Sequence, residues 1–249
     1  MSRIACFLNS SLSFFYSLLT EFFVRTINLI SPKKCAVCGC RLAIGEDVIC
    51  TVCNIHLPRT HFAEKPYDNV MAKMFWGRIP LERAAALFYY EPRSEVSRII
   101  YSMKYFNHPE AGEFMGRMLA EEIRDGGFFE SVDLIIPVPL ARSRQRKRGY
   151  NQSEEIARGI GDIVGLPVIT DAVRRKSFAT SQTKMDRWQR IDNVKDVFEV
   201  TKSGVFHGKH VLIVDDVVTT GATIISCAKE ISKCGDVKFS VLCLGFTKS

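Results

Sequence analysis

Apolar residues along this chain fall into two rhythms, short unbroken runs and longer stretches with helical spacing, and from about Asn69 the two alternate. Ala84–Tyr90 predicts a strand, Ser94–Phe106 and Pro109–Arg124 predict helices, and Val132–Val138 predicts a buried strand. Ser153–Val164 then reads as a helix that stops at Gly165. Val211–Val214 is a second buried strand, Ala222–Lys233 a helix with Gly235 just past its end, and Val237–Gly245 a closing strand. Apolar strands need cover on both faces, so the pattern predicts an α/β fold, a mostly parallel sheet with helices on both faces. Ligands bind such sheets beyond the carboxyl ends of the strands, which directs attention to the residues after Val138 and Val214.

Two segments precede this region, which is expected to form a domain over 69–249. Residues 1–30 form an apolar leader whose Phe-rich run, Ile4–Leu19, is laced with Ser and Asn and then broken by Glu21 and Arg25. A spanning helix needs about 20 predominantly apolar residues, and no cleavage signature follows, so neither a transmembrane segment nor a signal peptide is expected. An amphipathic helix packed on the body is the main reading, with membrane-surface contact as the alternative. Residues 31–65 hold the cysteine cluster.

The composition narrows the partners. With 249 residues and 47% apolar content the chain can bury a full core. Its charge of +7 favours an anionic partner, for which phosphorylated small molecules and nucleic acid both qualify. Nine cysteines, five of them between Cys35 and Cys53, argue for metal binding in a reducing compartment over a disulfide framework. The expected location is the cytoplasm, peripheral to the inner membrane if the leader touches lipid. Cys35, Cys38, Cys50 and Cys53 form two Cys-x-x-Cys pairs, a strong signal for a tetrahedral ion, zinc ahead of iron. A closed four-ligand site has no open position and is therefore structural. Cys6, Cys227, Cys234 and Cys243 read as core thiols.

Directly after Val214 come Asp215 and Asp216, then Val217, Val218 and the small polar loop Thr219, Thr220, Gly221, Ala222 and Thr223 leading into a helix. A hydroxyl-rich loop at a helix amino terminus offers N–H and O–H donors to a phosphate. Carboxylates beside it would repel phosphate alone. They fit a ligand that also carries hydroxyls or a divalent metal, as a ribose 5-phosphate does. After Val138 the chain packs five cations, Arg142, Arg144, Arg146, Lys147 and Arg148, into seven residues, read as a loop. Like charges so close repel unless an anion gathers them. Pyrophosphate is one candidate. A single-stranded nucleic-acid backbone, with Tyr150 available for stacking, is the other.

The segment His210–Thr223 resembles the phosphoribosyl-pyrophosphate (PRPP) motif of type I phosphoribosyltransferases. The resemblance implies that Asp215 and Asp216 are the catalytic pair, meeting the ribose hydroxyls directly or through Mg²⁺ that accompanies PRPP. It further implies that Thr219–Thr223 hold the 5-phosphate, and that a nitrogen nucleophile displaces pyrophosphate. The knuckles, Lys104-Tyr105, Pro137-Val-Pro139, Arg148-Gly-Tyr-Asn-Gln152, then Gln182, Arg187 and Asn193 in a long polar loop, together resemble the ComF family of bacterial competence proteins. That resemblance covers about Asn28–Phe246 and implies a role in DNA uptake during natural transformation, with single-stranded DNA and DNA-uptake proteins as partners. Family members usually carry Phe where Tyr150 stands. The alternative is a working phosphoribosyltransferase with an unread nitrogen acceptor.

Overall fold

The computed structural model describes residues 33–105, 109–176 and 197–248, which fall into two compact units, the chain dividing between Asn54 and Ile55. The leader and the loop residues Gln182, Arg187 and Asn193 lie outside the described residues. Among the described residues, no helix is long and apolar enough to cross a membrane.

The smaller unit is built around its cysteines. Gly39, at φ 74°, turns the chain so that its N–H donates to the Cys35 carbonyl at 2.9 Å. Val37, Leu42, Val48 and Ile49 supply a small apolar centre. Helix α1, Thr51–His56, carries Cys53. The Glu46 carboxylate caps its start, accepting the Thr51 N–H at 2.7 Å and the Thr51 hydroxyl at 2.8 Å.

In the larger unit α2 (Val70–Phe75) precedes β1 (Leu81–Tyr89), followed by α3 (Glu95–Tyr105) and α4 (Pro109–Ile123). Then come β2 (Leu134–Pro137), α5 (Arg142–Arg148), α6 (Gln152–Val164) and the short β3 (Val173–Arg175). The chain closes with β4 (Phe198–Val200), β5 (His210–Val218), α7 (Ala222–Ser232) and β6 (Lys238–Phe246). Four strands form one parallel sheet in the order β1-β6-β5-β2, and β3 pairs antiparallel with β4 in a separate ribbon. Residues 167–169 extend the sheet beside β2, where Val168 bridges Ile135.

The apolar strands predicted from sequence occupy the centre, and Val211, Leu212, Ile213 and Val214 are fully buried. Helices α4 and α6 pack backbone to backbone. A Cβ on Gly116 would lie 2.1 Å from the Ile156 carbonyl oxygen, and one on Gly159 2.0 Å from that of Glu113. Glycine is required at both positions for this approach.

Two sequence expectations change here. Strand β5 does not stop at Val214: it runs through the acidic pair to Val218, because pairing with β6 continues to Val218↔Phe246. The basic segment is not a loop. Arg, Lys and Gln are good helix formers, and Gly149 at φ 84° supplies the left-handed stop, so residues Arg142–Arg148 close into a short helix despite their charge.

Candidate functional site

The site forms where one strand ends before its neighbours. β2 pairs with Val211–Val214 and stops at Pro137, after which the Val138 N–H makes a last bond, 2.9 Å, to the Val214 carbonyl. β5 and β6 run on, so the stretch of β5 from Asp215 is released on the β2 side. The chain leaving β2 turns through Pro139 and Leu140 into α5. A cleft of about 190 Å³ results, lined by Lys104, Arg144, Arg148, Gln152, Ser153, Arg175, Asp215, Asp216 and Thr223 among others.

Successive strand residues point to opposite sides, and the two carboxylates accordingly reach different helices. Asp215 Oδ1 accepts the Ser153 hydroxyl of α6 at 2.9 Å and the Asp216 N–H at 2.9 Å. Asp216 Oδ2 pairs with Lys104 Nζ of α3 at 2.6 Å, and its Oδ1 accepts the Val217 N–H at 2.7 Å. Burial, reinforced by the charge of Asp216, pushes the Asp215 carboxyl up to about 7. The Ser153 hydrogen bond and Lys104 oppose the shift without reversing it.

The hydroxyl loop follows at once. Thr219, Thr220, Ala222 and Thr223 are exposed, whereas Gly221 is buried at φ 70°, directly before α7. A Cβ there would meet Met74 Sδ at 2.8 Å and the Phe75 ring at 3.0 Å, so α2 braces the loop from below. Phe75 and Met71 are fully buried and make that brace rigid.

Of the five cations on α5, Arg144 and Arg148, one helical turn apart, line the cleft; Arg142, Arg146 and Lys147 are exposed and do not. Among the described residues, Arg142, Arg144, Arg146 and Lys147 make no ion pair with a carboxylate. Arg148 donates to Gln152 Oε1 at 2.8 Å, and the buried Gln152 Nε2 has no partner among the described residues. Tyr150 is not a stacking platform. It is 9% exposed and its hydroxyl donates to the Met103 carbonyl.

Sequence reasoning did not nominate Lys104, Ser153 or Arg175 as site residues. Arg175 stands at the end of β3 with its guanidinium over the Phe198 ring, 5.5 Å from the centroid. Burial and the facing Arg144 charge lower its pKa. A partly buried guanidinium and an exposed one facing it in one cleft leave a place for an anion.

In the smaller unit the Cys35, Cys38, Cys50 and Cys53 sulfurs all lie within 4.8 Å of one another, and Cys38 and Cys50 are 3.8 Å apart. Zinc–sulfur bonds of about 2.3 Å in a tetrahedron place sulfurs roughly 3.8 Å apart, so the donor set fits such a metal. Cys227 and Cys243 are buried thiols, as expected; Cys234 is half-exposed, because it follows the end of α7.

A parallel α/β sheet with carboxylates and a hydroxyl loop at its carboxyl end puts the cleft where sheets of this class bind their ligands. The phosphoribosyl transferase domain matches residues 104–246, and the chain belongs to that family. It is 29% identical over 231 residues to DNA utilization protein YhgH of Shigella flexneri, covering 87% of this chain and 98% of that protein. It is 27% identical over 212 residues to competence protein F of Haemophilus influenzae, covering 84% and 89%. Both relatives bear out the resemblance to the ComF family. Among solved structures, glutamine PRPP amidotransferase from B. subtilis in complex with ADP and GMP matches at 20% identity and a TM-score of 0.39, over 56% of this chain and 30% of that one. The chain therefore spans under a third of that protein.

Proposed function

We propose that the cleft binds PRPP and that the protein acts in DNA uptake during natural transformation, where it handles single-stranded DNA. The observation that carries the PRPP reading is the joint presence of the Asp215–Asp216 pair, Thr223 and three arginines around one cleft at the end of β5. Asp215 and Asp216 would face the ribose hydroxyls, and Thr219–Thr223 with the α7 amino terminus would hold the 5-phosphate. Arg144, Arg148 and Arg175 would face the pyrophosphate, and the orphaned Gln152 Nε2 would donate to a ligand oxygen. The acidic pair also suits Mg²⁺ carried in with PRPP, which offsets charge on the pyrophosphate. For the cysteine cluster we assign a structural zinc.

The DNA part rests on the names of the relatives and on the outward cations Arg142, Arg146 and Lys147 of α5. Fluorescence anisotropy with a labelled single strand across a salt series tests it. Affinity should fall with salt, and replacing these three residues by alanine should weaken binding and flatten the salt dependence. Absence of binding at low salt removes the DNA role.

Turnover is a second reading, supported by the place of Asp215 in the cleft with its Oδ1 on the Ser153 hydroxyl. A carboxyl held at about 7 by burial can take a proton from a nitrogen acceptor at neutral pH. Pyrophosphate release from PRPP with a panel of nucleobases decides it, and no release with any base leaves a binding protein.

A further inference from the structure

The two carboxylates of the cleft are not equivalent. Asp215 is held by neutral donors, the Ser153 hydroxyl and a backbone N–H, whereas Asp216 is held by a full positive charge, Lys104 Nζ at 2.6 Å. Their side chains are only 23% (Lys104) and 18% (Asp216) exposed. Water therefore screens this pair less than a surface ion pair, and its charge balance is felt by whatever enters the cleft.

Lys104 is also held in place. It sits in the last turn of α3, where a cation complements the helix dipole. The carbonyl of the preceding residue, Met103, accepts the Tyr150 hydroxyl, and both of these side chains are buried. Tyr150 belongs to the corner between α5 and α6. This latch therefore ties the end of α3 to the helices that bring Arg144, Arg148 and Ser153 to the cleft.

We propose that Lys104 is a resident counter-ion of the acidic pair, which gives this site an affinity for PRPP that does not depend on a divalent cation, with Tyr150 as its positioning residue through Met103. The proposal rests on the PRPP reading of the cleft. Two adjacent carboxylates repel a ligand that carries a phosphate and a pyrophosphate, and a divalent cation is the usual remedy. Here one of the two charges is already balanced by the protein. An ammonium has three donors, so Lys104 can keep Asp216 on one and offer another to a phosphate oxygen.

The test is calorimetric titration of PRPP into the wild type, Lys104→Met, Lys104→Arg and Tyr150→Phe, each in EDTA and in excess Mg²⁺, with thermal unfolding followed alongside. The wild type should bind in EDTA within about threefold of its affinity in Mg²⁺. Lys104→Met should lose roughly tenfold or more in EDTA and regain most of it in Mg²⁺. Lys104→Arg should behave as wild type. Tyr150→Phe should move toward Lys104→Met by about two- to fourfold, the scale of one neutral hydrogen bond. A role confined to packing would change the unfolding temperature without changing the ratio of affinities in the two buffers. If wild type binds PRPP and either Lys104→Met shows the same ratio, or Lys104→Arg is as Mg²⁺-dependent as Lys104→Met, the counter-ion role is overturned while the PRPP reading stands. If the wild type binds PRPP in neither buffer, the reading of the cleft falls and the proposal with it.

Discussion

Replacing Asp215 by asparagine separates what the site costs the fold from what it does for the ligand. The side chain keeps its shape and its acceptor for Ser153, and only the charge goes. In the folded protein this carboxyl titrates at about 7 against an ordinary 3.8. Below about pH 3 it is protonated in both folded and unfolded chains. Between there and 7 the folded chain holds a proton that the unfolded chain has released, so stability falls as pH rises, and above 7 the full penalty is present. A shift of this size corresponds to at most about 4 kcal/mol. Because the group lines an open cleft, water relieves part of it, and about 1–3 kcal/mol is expected. Asp215→Asn should therefore be more stable than wild type by that amount at pH 8, and within about 0.5 kcal/mol of it at pH 3, where the carboxyl is protonated in both states. Urea unfolding followed by circular dichroism at both pH values measures the difference. An equal increment at pH 3 and pH 8, or a loss at pH 8, would refute the argument that burial of charge strains this position.

Other consequences follow from packing and from the cysteines. Gly116→Ala sets a Cβ 2.1 Å from the Ile156 carbonyl, which must force α4 and α6 apart. Unfolding should show a loss of about 2–4 kcal/mol, and PRPP affinity should fall too, because α6 carries Ser153. Cys35→Ser should abolish stoichiometric metal by elemental analysis and unfold the smaller unit, while the circular dichroism of the larger unit persists. Arg144→Ala/Arg148→Ala should weaken PRPP binding more than Arg142→Ala/Arg146→Ala, since only the first pair lines the cleft; calorimetry on the two double variants compares them.

Much of this site was legible because its signals are local. A run of four buried aliphatics, two acids, and a Thr-Gly loop before a helix carry their meaning within one stretch of chain, as do the two Cys-x-x-Cys pairs. What escaped depends on distant partners or on competing tendencies. The strand's continuation through Asp215–Val218 is set by β6, whose backbone pairs regardless of the side chains opposite. In Arg142–Arg148 charge repulsion was weighed above helix propensity and the Gly149 stop, and the helix won. Tyr150 looked like a surface ring in a basic neighbourhood, yet its hydroxyl satisfies a buried carbonyl on α3. Lys104 and Arg175 reach the cleft only through tertiary folding. Lys104 stood in the segment that resembled the ComF family, but nothing beside it in sequence assigned it a partner.

The claim that the end of β5 is a PRPP site is tested most directly by calorimetry of PRPP with Mg²⁺ present, on wild type and on Asp215→Ala/Asp216→Ala. Loss of both acceptors for the ribose hydroxyls should weaken binding by roughly tenfold or more. An unchanged affinity in the double variant would contradict the account.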